Sequence, residues 1–164
     1  MCGTPGVGKS TWIQNHKNYF AEETGIISRD AIRFNLVSEN EEYFSKEKEV
    51  WTEFINQAKT SLEKNIDTIL DATHLNSASR SKVLRALKDN LNDVEINCIA
   101  ICSSLDVILA QNNLREGTRG FVPKSAIRRM NSQFVLPSLD EGFDHIYIYT
   151  KEGDKVKYQI LDRK

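Results

Sequence analysis

Gly3-Thr4-Pro5-Gly6-Val7-Gly8-Lys9-Ser10 satisfies the pattern G-x-x-x-x-G-K-[ST] at every position. Phosphate oxygens need many convergent donors. Glycines let the backbone curl until several N–H groups point inward, and a helix opening directly behind them adds the positive end of its dipole. Lys9 can reach the β- and γ-phosphates of ATP, and the Ser10 hydroxyl can ligate Mg²⁺. Gly3, Thr4, Pro5, Gly6, Val7, Gly8, Lys9 and Ser10, with Thr11 next in line, are therefore the expected nucleotide-binding residues. The bland alternative is a chance glycine-rich turn. With glycine at roughly 7% of residues, a random chain of this size shows the full pattern about once in two hundred.

Outward from that loop, helix and strand alternate. Residues 9–20 are expected to be helical and residues 24–28 to form a short buried strand. Within residues 46–64, Val50, Trp51, Phe54, Ile55, Ala58 and Leu62 recur at helical spacing and point to a core face. Thr68-Ile69-Leu70 reads as a second strand ending at Asp71, residues 77–91 as a helix and residues 94–102 as a third strand. Helices over 105–114 and 124–134 follow, the second behind Pro123. Strands over 146–149 and 155–160 flank a turn at Glu152-Gly153-Asp154.

Such alternation implies crossover connections and a mostly parallel sheet. The expected fold class is α/β: a P-loop NTPase three-layer sandwich with a mobile helical lid, built as one domain over residues 1–164. A phosphate loop normally follows a buried strand, yet only Met1 and Cys2 precede Gly3. A parallel sheet without its central strand leaves backbone groups unpaired, so a few further residues are expected ahead of Met1.

In such sheets ligands bind beyond the carboxyl ends of the strands, where Asp30 and Asp71 are both expected. Asp30 suits a general base that takes the proton of an acceptor hydroxyl. Capping the helix that begins at Ala31 is its bland alternative. Arg33, one helical turn on, could grip a substrate phosphate with its planar fork. Asp71, behind three apolar residues, has the Walker-B arrangement that holds Mg²⁺ directly or through water; here too a helix cap is the alternative. Residues 112–120 carry Arg115, Gly117, Arg119 and Gly120. They read as a lid bringing positive charge to a phosphoryl group in flight, against the alternative of a solvated loop.

Read in order, Gly-Thr-Pro-Gly-Val-Gly-Lys-Ser-Thr (3–11), Ser-Arg-Asp-Ala-Ile-Arg (28–33), Asp-Ala-Thr-His-Leu-Asn (71–76) and Arg80 resemble the kinase domain of the phage, bacterial and animal polynucleotide 5′-hydroxyl kinases. Asn112-Asn113-Leu114-Arg115-Glu116, Val122-Pro123, Gln133-Phe134, Pro137 and Glu141-Gly142-Phe143-Asp144 extend the likeness over almost the whole chain. The resemblance implies transfer of the ATP γ-phosphate to a 5′-hydroxyl end of DNA or RNA. It implies Lys9, Asp30, Arg115 and Arg119 as catalytic residues, Arg33, Asp71 and Arg80 on the substrate side, and Ser10 with Asp71 at Mg²⁺. The chain departs from the phage pattern where Gln111-Asn112 stand in place of a lid arginine, and in the spacing from Arg115 to Pro123. The Asp-x-Asp-x-Thr phosphatase signature is absent, so removal of 3′-phosphates is not expected.

Composition narrows the field. Hydrophobic residues make up 40% of the 164, enough for one core, and the net charge of −1 argues against a non-specific nucleic-acid coat protein. Local basic residues (Arg29, Arg33, Arg80, Lys82, Arg85) could still line a track for a strand. Three cysteines without a C-x-x-C pair give neither a disulfide framework nor a zinc site, and His16, His74 and His145 lack metal spacing. With no apolar span and no signal-peptide core, the expected location is the cytoplasm, away from membranes. Two rivals to the polynucleotide kinase stand: a kinase of a small hydroxylated metabolite, nucleoside or antibiotic, and a non-catalytic nucleotide-binding module. Asp30 argues against the second, since a module without transfer chemistry needs no acceptor base.

Overall fold

Residues 1–152 and 155–163 are described by the computed structural model; Gly153 and Asp154 of the expected turn lie outside the described residues. Five strands run β1 (Gly25–Ser28), β2 (Thr68–Asp71), β3 (Asn97–Ser103), β4 (His145–Glu152) and β5 (Lys155–Asp162). Six helices accompany them: α1 (Lys9–Asn15), α2 (Arg29–Leu36), α3 (Glu47–Glu63), α4 (Ser77–Leu87), α5 (Leu105–Asn113) and α6 (Lys124–Ser132). β1 pairs with β2 and β3 with β4, both parallel, while β5 returns antiparallel along β4.

Met1–Gly3 fill the position between β2 and β3. The Met1 amine donates to the Leu70 carbonyl at 3.1 Å, and Gly3 N–H donates to Thr73 O at 2.9 Å. On the other side, Cys2 N–H donates to Ile99 O at 2.8 Å and Ile101 N–H to Cys2 O at 3.0 Å. Residues 1–3 thus occupy the central-strand position and pair with backbone groups on both sides.

Alternation along β3 sorts the core into two layers. Cys98 and Ala100 pack with Cys2, Phe143, Ile146 and Leu84 of α4, whereas Ile99 and Ile101 face Val7, Trp12, Ile108 of α5 and Ile127 of α6. Ile27 meets Val50, Phe54 and Ala58 of α3 and Val83 and Leu87 of α4. Helices α3 and α4 therefore cover one face and α1, α5 and α6 the other, the three-layer α/β sandwich.

Local chemistry shortens several expected elements. Helix α1 stops at Asn15; at its end His16 stacks its ring on Trp12 at 4.1 Å, and both its backbone N–H and its ring meet the Trp12 carbonyl. Residues 17–19 and 88–90 are single 3₁₀ turns. Strand β3 begins at Asn97, since Ile96 N–H goes to the Asp144 carboxylate at 2.8 Å instead of a neighbouring strand. Among the described residues, no helix is long and apolar enough to cross a membrane.

Candidate active site

The glycine-rich loop is shaped by contacts a side chain would break. Gly3, Gly6 and Gly8 all have positive φ (145°, 83° and 102°). A Cβ on Gly3 would lie 2.6 Å from the Ile101 carbonyl oxygen, so the loop rests directly on β3. Val7 packs beneath it against Ile108 and Ile127. At its start, the Thr4 hydroxyl donates to Asn131 Oδ1 of α6 at 3.1 Å. Lys9 is 9% exposed and donates from Nζ to the carbonyls of Gly3 (2.9 Å) and Thr4 (3.3 Å), across the loop it follows.

β1 and β2 deliver the two carboxylates. Their register pairs Ser28 with Asp71 at the carboxyl end. Ser10 Oγ donates to Asp71 Oδ2 at 2.7 Å, which joins the helix behind the loop to the tip of β2. Asp30 stands two residues beyond Ser28, in the first turn of α2. The cap of α2 is Ser28, whose hydroxyl accepts from Ala31 N–H at 3.3 Å, so the alternative of Asp30 as the helix cap does not hold. Burial pushes the Lys9 ammonium below the ordinary lysine range, while Asp71 and Asp30 work against that shift. Arg115 adds a like charge that lowers the Lys9 pKa further.

Around Asp30 the structure builds a fixed network. Asp30 Oδ1 accepts from Arg33 Nη1 at 2.7 Å and from Tyr43 Oη at 3.1 Å. Arg33 spends Nε and Nη2 on Glu47, the first residue of α3, and its Nη1 also meets the Tyr43 hydroxyl. Glu47 Oε2 accepts from Arg29 at 2.8 Å. Arg33 is expected to grip a substrate phosphate, yet it is buried and its donors are committed; here it orients Asp30.

Arg80 and Arg119 likewise spend their donors on protein partners. Arg80 is 3% exposed and forms a two-pronged ion pair with Glu141, both contacts at 2.7 Å, and donates to the carbonyls of His74 and Val135. That clamp ties α4 to residues 135–141 and leaves little of the guanidinium for a substrate. Arg119 caps the end of α2, donating to Phe34 O at 3.1 Å and Val37 O at 2.6 Å, with its guanidinium 4.9 Å from the Phe34 ring. Removing Arg80 strands a buried carboxylate, so Arg80→Ala is expected to cost about 3–5 kcal/mol of stability, read from urea unfolding. A raised acceptor KM with unchanged unfolding would instead assign Arg80 to the substrate.

The expected lid, residues 112–120, holds a chain of tight turns closed at its base by a side chain. Asn112, fully buried, donates from Nδ2 to Val122 O at 2.8 Å and accepts Val122 N–H on Oδ1 at 3.0 Å. Gly117, at φ 80°, takes the left-handed corner. Sequence reasoning missed Tyr43, Glu47, Asn131 and the Asn112 clamp. Only Glu47 had a local signal, an acidic residue in the first turn of a helix.

Comparison with known proteins bears on the same residues. Residues 1–137 match a family described as an AAA domain. Among solved structures, the fold is similar to a chain of the Pnkp1/Rnl/Hen1 RNA repair complex, with a TM-score of 0.67 and 21% identity. That match covers 80% of this chain and 42% of the other, so this chain spans less than half the length of that relative. It is also similar to the tunicamycin resistance protein of Deinococcus radiodurans, with a TM-score of 0.52, 14% identity, and coverage of 80% and 76%. At these identities the likeness is one of fold.

Proposed function

This chain belongs to the AAA domain family, and on that premise we propose that it transfers the γ-phosphate of ATP to the 5′-hydroxyl end of a polynucleotide. The observation that carries the reading is a held carboxylate, Asp30, just beyond the carboxyl end of β1, whose partner strand ends at Asp71, the acceptor of the Ser10 hydroxyl. Backbone amides of residues 3–10 and Lys9 would cradle the phosphates. Ser10 and Asp71 supply the few hard oxygen ligands that Mg²⁺ takes from protein; when bound, the ion would neutralise charge on the phosphate oxygens. Asp30 accepts the hydroxyl proton as the 5′-oxygen bonds to the γ-phosphorus. The bond from that phosphorus to the β–γ bridging oxygen breaks, and ADP leaves. With Arg119 committed to the carbonyls that end α2, Arg115 would be the lid arginine that meets the phosphates.

Several features favour a polynucleotide acceptor. Tyr43 and Phe44 stand beside Asp30, and Trp51 lies between Arg29 at 5.8 Å and Lys82 at 4.1 Å. Aromatic faces interleaved with cations suit a single strand. The likeness to a chain of an RNA repair complex agrees with this reading. The likeness to a tunicamycin resistance protein and the net charge of −1 favour the second reading, a kinase of a small hydroxylated molecule. The deciding assay offers γ-labelled ATP with 5′-hydroxyl DNA and RNA oligonucleotides and, separately, with nucleosides, sugars and nucleoside antibiotics. Label at oligonucleotide 5′ ends is expected. Label on a small molecule and on no oligonucleotide would transfer the assignment to the second reading.

A further inference from the structure

We propose that Phe44 is the stacking platform for the nucleobase of the acceptor's 5′-terminal nucleotide, a role that rests on the polynucleotide reading above. Phe44 lies in the segment between α2 and α3 and is 56% exposed. A single exposed aromatic ring means little by itself; Tyr19 is 82% exposed, yet its ring neighbour is His16, at the far end of α1. Phe44 differs in what holds it. Its ring stands edge-on to Tyr43 at 4.8 Å and 86°, and the Arg33 guanidinium lies 5.5 Å from its centre. Tyr43 and Arg33 are the same two groups that bond Asp30 Oδ1.

The ring is therefore braced by the same two groups that hold the carboxylate proposed to receive the 5′-hydroxyl proton. A cation on one side polarises it, and its exposed area is open to a flat partner. Stacking tolerates any base, because every base has a π-face. A small sugar or alcohol acceptor has no planar group to use such a platform.

The test compares KM and kcat for a 5′-hydroxyl oligonucleotide and for the same oligonucleotide with an abasic 5′-terminal residue. Phe44→Ala is expected to raise the KM of the normal oligonucleotide about tenfold or more, with the loss recovered at saturating acceptor and in Phe44→Trp. The wild type on the abasic end should match Phe44→Ala on the normal end, and the variant should lose nothing further on the abasic end. The KM for ATP is the control for folding. An unchanged acceptor KM in Phe44→Ala, or an equal loss on both oligonucleotides, overturns this proposal while the kinase reading stands. Wild-type protein that labels no oligonucleotide removes both.

Discussion

Lys9→Ala is expected to lower turnover at saturating ATP by about 10³-fold, with a thermal midpoint no lower than that of the wild type. The two halves of this expectation share a cause. Lys9 is buried and bonded to the carbonyls of Gly3 and Thr4, and burial lowers its pKa. Between that lowered value and the ordinary lysine value of about 10.4, the unfolded chain binds more protons than the folded one. Lys9 therefore makes stability rise with pH across that window, and at neutral pH its buried charge subtracts from stability. Removing the charge relieves the fold while it strips the phosphates of their ammonium. Lys9→Met, closer in volume, guards against a cavity effect. Phosphate transfer from labelled ATP and scanning calorimetry read the two outcomes. A variant that keeps turnover within tenfold of the wild type would show that the triphosphate does not lie on residues 3–10.

Asp30→Ala should keep ATP binding and lose about 10²–10⁴ in kcat, the usual worth of a general base. The network around Asp30 sharpens the expectation. Arg33 and Tyr43 both bond Oδ1, so the carboxylate is held rather than free to rotate. Asp30→Asn keeps the shape and removes the proton acceptor, and should fall nearly as far as the alanine variant. ATP affinity by calorimetry and single-turnover transfer to an oligonucleotide separate binding from chemistry. Near-wild-type turnover in either variant would take Asp30 out of the reaction.

What could be read from the sequence was what local pattern encodes. The loop at residues 3–10 carries its own geometry in its glycines, and Asp71 and Asp30 are marked by the short apolar strands before them. The sandwich and its mostly parallel strands follow from alternation of the elements. Unreadable were the partners brought together by packing. Arg80 meets Glu141 sixty-one residues away, and Asn112 meets Val122 across a loop whose closure no pattern encodes. Arginine alone does not say whether it will face a phosphate or a carbonyl. Arg119 belongs to the expected lid, yet it caps α2. The end of α1 was overrun past Asn15, where His16 stacks on Trp12.

The position of residues 1–3 has a consequence for cohesion. Met1, Cys2 and Gly3 carry backbone hydrogen bonds to both flanks, to Leu70 and Thr73 on one side and to Ile99 and Ile101 on the other. The phosphate loop springs from the same stitches. A triphosphate gripping residues 3–10 would therefore draw both halves of the sheet together, and occupancy would show as slower amide exchange along β2 and β3, including at residues that do not touch the nucleotide.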